Sequence, residues 1–195
     1  MRSDKLNRRL PSLSLPVHEP VGLAQTSAPQ VPIRVSHNLY IGSYSSTFDA
    51  SRLKSLGISA ILNLAGDNYP LRHSSFDYAS LKMSDSPRID IKHILTLALE
   101  FIERNILEGR TVMIHCVKGL SRAPTVACAY LMWKQSLDFG SALSIIKASC
   151  PDADPNLGFV SQLECFMQPA DDCQDAYDHN SSRPMLGDRL NYNKL

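Results

Sequence analysis

The chain of 195 residues lacks long apolar runs, a strong charge of either sign and a nucleotide-binding loop. No transmembrane helix is predicted, because no stretch of about eighteen apolar residues occurs, and we expect no stable membrane insertion. The net charge of +1 provides no long-range field that would attract nucleic acid, so nucleic-acid binding is not expected. The absence of Gly-x4-Gly-Lys-Ser/Thr argues against a nucleoside triphosphatase.

Cysteine is scarce and carries no sign of a disulfide framework. Five cysteines, an odd number, occur without paired spacing and without a secretory signal, which favours a reducing compartment. We therefore expect a cytoplasmic protein that also reaches the nucleus. The basic, Ser- and Leu-containing N-terminus leaves a mitochondrial presequence as the alternative, although Pro11 and Pro16 would interrupt its amphipathic helix.

The segment from Val112 to Arg122 carries the most chemistry. A short apolar run ends at Cys116, and Arg122 follows after five intervening residues, where a helix with Pro124 in its first turn begins. The N–H groups of such a loop have no partner within the helix, so they favour an anion of phosphate size and the thiolate form of a cysteine. A guanidinium matches two phosphate oxygens, and Gly119 provides the permissive backbone of a tight turn. The segment predicts a phosphate-binding nucleophile.

These residues resemble the signature loop of the cysteine-dependent protein tyrosine phosphatases. A narrower resemblance is to the atypical, or small, dual-specificity phosphatases, and it covers about residues 33–168. It is carried by Gly119 and Ser121 in the loop, by the run Ala129-Tyr130-Leu131-Met132, and by Pro155-Asn156-Leu157-Gly158-Phe159. Three separated matches in the right order are more specific than the Cys-x5-Arg spacing alone.

The resemblance implies a general acid about thirty residues before the cysteine. Asp85 lies there, in the segment Ser84-Asp85-Ser86-Pro87. Asp90 is the competing residue, but it immediately precedes an apolar stripe at helical spacing and is better interpreted as a helix N-cap. A simple turn before Ser-Pro is the alternative role for Asp85.

The resemblance also implies the roles of the site residues and a mechanism that needs no metal and no cofactor. Cys116 is expected to attack phosphorus, Asp85 to transfer the proton, and Arg122 to stabilise charge in both transition states. His115 is expected to shape the loop by hydrogen bonding to nearby backbone, and Asn156 to support the loop or its neighbours, a simple turn being the alternative for Asn156. The expected phosphate-binding residues are Val117, Lys118, Gly119, Leu120, Ser121 and Arg122.

Ala123 departs from the resemblance. The family usually carries Ser or Thr directly after the arginine, with a hydroxyl that helps the cysteine sulfur to leave during hydrolysis. Loss of a hydrogen bond to a charged sulfur corresponds to about 1.5–3 kcal/mol, enough to slow breakdown of the intermediate roughly tenfold or more. We therefore expect a slow enzyme that accumulates cysteinyl-phosphate.

The periodicity predicts one α/β domain at 33–168, between a flexible N-terminal arm at 1–32 and a mobile C-terminal tail at 169–195. A central, mostly parallel twisted sheet of about five strands flanked by helices is expected, with the site at the carboxyl end of the strand at 111–115. The other expected strands are 34–41, 58–64 and 76–83. The expected helices are 48–56, 91–107, 121–135, 139–150 and 157–167.

The sequence says less about the substrate. The small relatives usually have a shallow pocket, which implies hydrolysis of phosphotyrosine, phosphoserine and phosphothreonine on proteins. Lys118 is the single lysine of the loop, which favours phosphorylated proteins over phosphoinositides. Mitogen-activated kinases are plausible partners that no residue specifies, and the oligomeric state is not indicated. The alternative function is that of a pseudophosphatase that binds phosphoproteins with little turnover.

Overall fold

The computed structural model describes residues 31–70 and 73–167. Of the predicted arm at 1–32, only Val31 and Pro32 are described, and the predicted tail at 169–195 lies outside the described residues. No helix of the described part is long and apolar enough to cross a bilayer.

A five-stranded mixed sheet forms the centre of the protein. The strands are β1 (Ile33–Ser36), β2 (Leu39–Ser43), β3 (Ile58–Asn63), β4 (Asp77–Ser80) and β5 (Thr111–Cys116). Their order across the sheet is β1-β2-β5-β3-β4, with β1 antiparallel to β2 and the other three pairings parallel. The predicted fold class is confirmed.

Five α-helices and one short 3-10 helix connect the strands. The helices are α1 (Ala50–Ser55), α2 (Lys92–Leu107), α3 (Arg122–Gln135), α4 (Phe139–Ser149) and α5 (Leu157–Met167), and the 3-10 helix is Ser45–Thr47. Most boundaries lie within a residue or two of the predicted ones, and capping side chains mark the starts of α1 and α4. The Asp49 carboxylate, for example, accepts the Arg52 N–H at 2.9 Å and starts α1.

The single strand predicted at 34–41 is wrong. The chain turns at His37 and Asn38, and β1 folds back on β2 as an antiparallel hairpin in which Ser36 pairs with Leu39. The Arg34 guanidinium stabilises the turn by donating hydrogen bonds to the carbonyl oxygens of Ser36 and His37. The strand predicted at 76–83 is also shorter than expected, because it runs along the sheet edge, where only β3 pairs with it.

The core lies on both faces of β5, the middle strand. Its residues from Val112 to Cys116 are buried, as parallel strands covered on both faces require. One face packs against α1 through Leu53, Ile61 and Met113, and the opposite face against the larger cluster that includes helices α2 to α5.

The parallel pairing gathers three strand ends at one edge of the sheet. Ser43 at the end of β2 pairs with Cys116 at the end of β5, and Asn63 at the end of β3 pairs with His115. In open α/β sheets, ligands bind outside the carboxyl ends of the strands. Cys116 therefore lies at the edge where this architecture places a site.

Candidate active site

Cys116 ends β5 and opens the loop of residues 117–121 that leads into α3. It is 1% exposed, and its Sγ accepts a hydrogen bond from the Gly119 N–H at 3.2 Å. Two loop carbonyls are bound from outside: Val117 accepts the Tyr44 N–H at 3.2 Å, and Leu120 accepts the Asp154 N–H at 2.7 Å. Because these carbonyls are held outward, the N–H groups of the same peptide units, those of Lys118 and Ser121, are directed to the opposite side.

Gly119 shapes this loop, as predicted, and for two reasons. Its φ of +78° lies in the left-handed region, where side chains are strained. A Cβ at this position would also lie 2.6 Å from the carbonyl carbon of Gly42 and 2.8 Å from the Ser43 nitrogen. The end of β2 therefore approaches the loop too closely for any other residue.

Gly119→Ala is expected to lower the free energy of unfolding by about 1–3 kcal/mol more than Gly109→Ala does. Both glycines have positive φ, but a Cβ at Gly109 would meet nothing within 4 Å, so the difference isolates the contact with β2. Urea unfolding of the two variants measures it. Equal destabilisation would show that the loop is free to move away from β2.

Arg122 is the first residue of α3, and its guanidinium points back toward the segment that carries Asp85. One terminal nitrogen donates to the Met83 carbonyl at 3.0 Å, which fixes the orientation of the group. Its Nε is buried without a hydrogen-bond partner among the described residues and lies 3.7 Å from Asp85 Oδ2. The side chain is 11% exposed, so a guanidinium with unused hydrogen-bonding capacity lies in a sheltered position beside a carboxylate.

Asp85 is the acidic residue that the structure brings to this arginine. Its Oδ1 accepts hydrogen bonds from Ser121 Oγ at 2.8 Å and from Asn156 Nδ2 at 3.3 Å, and its side chain is 39% exposed. Asp90 instead accepts the N–H of Lys92, the first residue of α2, at 2.9 Å. Asp90 therefore binds the start of a helix, one residue earlier than the formal cap at Ile91.

Ser121 has a contact that the sequence did not indicate. It was predicted only as a phosphate-binding residue of the loop, yet its hydroxyl donates to Asp85 and accepts the Asn156 N–H at 3.3 Å. These partners are 36 and 35 residues away in sequence, and no local sequence pattern predicts them. Through Ser121, the loop that follows Cys116 thus fixes one oxygen of the Asp85 carboxylate.

Asn156 connects Asp85 to α5. Its side-chain carbonyl accepts the N–H groups of Gly158 at 3.0 Å and Phe159 at 3.3 Å, which caps the helix, while its side-chain nitrogen reaches Asp85. The interpretation of Asn156 as a simple turn residue therefore does not account for its contacts.

His115 lies buried immediately before the cysteine. Burial lowers the pKa of its imidazole to about 4; the Cys116 backbone opposes this shift, and the positive charge of Arg122 adds to it. The ring lies with its centroid 6.1 Å from that of Tyr44. Neither ring nitrogen makes a hydrogen bond of good geometry among residues 31–70 and 73–167, but the opposing effect of the Cys116 backbone on the pKa indicates a weak contact there, so the expected bond to nearby backbone stays a prediction. His115 is a neutral packing element of the site at physiological pH.

The remaining predicted positions differ in burial. Ala123 is fully buried in the first turn of α3 and brings no hydroxyl to the loop. Lys118 is exposed. Cys128 and Cys150 are buried thiols, and burial raises the pKa of both, that of Cys128 to about 12; Cys165 is only partly buried.

The sheet order and the loop between β5 and α3 place the protein in the class of cysteine-dependent phosphatases. Within that class, the chain belongs to the dual specificity phosphatase family: the family model described as the dual specificity phosphatase catalytic domain matches residues 39–168. The resemblance inferred from the loop and the two later motifs is confirmed.

Curated relatives show the same similarity. The chain is 31% identical over 134 residues to "Dual specificity protein phosphatase 1" of Arabidopsis thaliana, covering 69% of this chain and 68% of the relative. It is 33% identical over 159 residues to "MAP kinase phosphatase with leucine-rich repeats protein 3" of Dictyostelium discoideum, covering 80% of this chain but 18% of that relative. The similarity is thus to a domain-sized part of the longer relative.

A solved structure with the same fold is that of the human "tyrosine phosphatase-like serine/threonine/tyrosine-interacting protein". The TM-score is 0.68 at 26% identity, and the match covers 71% of this chain and 96% of that chain.

Proposed function

We propose that the protein is a phosphatase that hydrolyses phosphotyrosine, phosphoserine and phosphothreonine on proteins through a cysteinyl-phosphate intermediate. Membership of the dual specificity phosphatase family supports protein phosphatase activity. The observation that carries the finer proposal is one constellation: Cys116 Sγ receives a loop N–H, and Arg122 and Asp85 lie 3.7 Å apart at the end of that loop.

In the first step, the Cys116 thiolate attacks phosphorus, a S–P bond forms, and the P–O bond to the substrate breaks. The departing oxygen takes a proton from Asp85, because an alkoxide or phenoxide is otherwise a poor leaving group. Asp85 Oδ1 is occupied by Ser121 and Asn156, which leaves Oδ2 to carry that proton. The Arg122 guanidinium and the loop amides stabilise the charge on the three equatorial oxygens.

In the second step, water attacks the cysteinyl-phosphate and breaks the S–P bond. The Asp85 carboxylate, now unprotonated, takes the proton from this water, which restores its acid form and releases inorganic phosphate. The electron pair of the broken bond returns to Cys116 as the thiolate. This chain provides no hydroxyl at position 123 to stabilise that departing sulfur.

Ala123→Ser is expected to raise kcat about tenfold by speeding this second step, because a hydrogen bond to a charged sulfur is worth about 1.5–3 kcal/mol. Rapid-mixing kinetics should show a burst of product in the wild type and a smaller one in the variant. Ala127→Ser is the matched control, since Ala127 is equally buried one turn further along α3. The expectation fails if the wild type shows no burst or if kcat does not change.

Phosphorylated proteins are the proposed substrates, with mitogen-activated kinases among them. One relative is named as a MAP kinase phosphatase, and a single exposed lysine in the loop provides less positive charge than a phosphoinositide would use. A cytoplasmic and nuclear location is proposed with these substrates.

The direct test is phosphate release by the wild-type protein from a phosphotyrosine peptide, a phosphothreonine peptide and a phosphoinositide. We expect release from both peptides and little from the lipid. Release from the lipid alone would overturn the substrate class. Binding of the peptides without any release would favour the alternative, a pseudophosphatase that binds phosphoproteins.

A further inference from the structure

Gln162, on the second turn of α5, binds the segment that carries Asp85 through two backbone groups. Its side-chain oxygen accepts the Ile91 N–H at 2.9 Å, and its side-chain nitrogen donates to the Ile89 carbonyl at 2.8 Å. The same nitrogen donates to the Gly158 carbonyl within its own helix at 2.9 Å. One side chain therefore ties the end of the acid-bearing segment, 71 to 73 residues away in sequence, to α5.

Only a primary amide of this length can make all three bonds. It has one strong acceptor and two N–H donors, whereas a carboxylate has no donor and a thioether has neither. The side-chain amide forms hydrogen bonds with one backbone N–H and one backbone carbonyl, on either side of Asp90. A neighbouring β-strand would bind the same two kinds of group. Because these hydrogen bonds require one particular arrangement of donors and acceptors, they hold the backbone at Ile89 and Ile91 in one position relative to α5.

Two further contacts at the start of α5 hold the same segment. Asn156 donates to the Asp85 carboxylate, and Gly158 lies so close to Pro87 that a Cβ there would overlap the Pro87 carbonyl. Apart from the contacts of Asp85 and the bond that Gln162 donates to the Ile89 carbonyl, residues 84–89 make short-range turn bonds, such as Ile89 N–H to Ser86 O at 3.3 Å. The first turns of α5 therefore form a support for the loop between β4 and α2.

We propose that Gln162 is a positioning residue for proton transfer, which fixes the segment 85–91 so that the Asp85 carboxyl meets the leaving oxygen. This inference rests on the proposed function. Gln162 acts through Asp85 and does not touch the reacting atoms. In the first step, its loss should slow the reaction only where the leaving oxygen needs a proton, since small displacements of a catalytic group are costly.

The test compares two substrates that differ in their need for a proton. The leaving group of p-nitrophenyl phosphate is a stable anion near neutral pH, whereas that of phenyl phosphate is strongly basic. Gln162→Glu and Gln162→Met are expected to lower kcat/KM for phenyl phosphate, which reports the first step alone, by about 10- to 100-fold and to change kcat/KM for p-nitrophenyl phosphate far less. Glu164→Gln, an exposed change on the same helix, should leave both rates unaltered.

A double-variant cycle distinguishes positioning from a general structural role. In an Asp85→Asn background, Gln162→Glu should cause no further loss with phenyl phosphate, because the acid through which it acts is gone. Thermal unfolding of each variant monitors the fold, and Gln162→Glu, which keeps the side-chain shape, serves if Gln162→Met proves unstable. Equal losses on the two substrates, or losses that multiply in the double variant, would overturn the inference. A wild-type protein inactive on both substrates would instead overturn the proposed function.

Discussion

A protein with serine in place of Cys116 should release no phosphate above background from a phosphotyrosine peptide. The sulfur is the atom that must form the bond to phosphorus, and it is held where the Gly119 N–H points at it. A serine hydroxyl in the same place has no adjacent base strong enough to ionise it, because burial lowers the pKa of the neighbouring His115 imidazole to about 4. Loss of a covalent nucleophile lowers kcat by roughly 10⁴–10⁶-fold.

Binding should survive this change, which separates chemistry from recognition. Arg122 is held by the Met83 carbonyl and the loop by Tyr44 and Asp154, and none of these contacts involves the sulfur. Fluorescence anisotropy with a labelled phosphopeptide should therefore show binding to the Cys116→Ser variant. The control variant Cys165→Ser, changed at a partly buried thiol, should keep full turnover. Unchanged phosphate release by Cys116→Ser would refute the assignment of the nucleophile.

The parts of the site that are contiguous in sequence were predictable. Residues 115–122 lie between the end of a buried strand and the start of a helix, so local geometry alone directs Cys116, Gly119 and Arg122 toward one another. The positive φ of Gly119 agrees with that reasoning. The close approach of β2 behind Gly119 was not predictable, because it depends on which strand lies next to β5.

The supporting contacts could not be read from local patterns. Ser121 meets Asp85 across 36 residues, and Gln162 meets Ile89 across 73. Such contacts follow from how the start of α3 and the helix α5 pack against the loop before α2, and hydrophobic periodicity carries no information about polar partners. The hairpin of β1 and β2 was missed for a related reason: its turn at His37 and Asn38 has no Gly or Pro, the residues that most clearly mark a turn.

The second large effect is expected from Asp85→Asn, which should lower kcat by roughly 10²–10⁴-fold on a phosphotyrosine peptide. The asparagine keeps a side-chain oxygen that can accept from Ser121 and Asn156, so the side chain should remain in place. It cannot give up a proton to the leaving oxygen, and it cannot take one from water in the second step.

Stability should barely change in this variant, and that contrast tests the assignment. The Asp85–Arg122 pair is 3.7 Å apart with a carboxylate that is 39% exposed, and ion pairs of this kind contribute about 0–1 kcal/mol. Asp90→Asn is the matched control, because Asp90 is an exposed carboxylate of the same segment that binds the Lys92 N–H, a role that asparagine fills as well. Its kcat should equal that of the wild type. If Asp90→Asn lost activity and Asp85→Asn kept it, the acid of this segment would be Asp90, and the contacts of Ser121 and Asn156 with Asp85 would be structural.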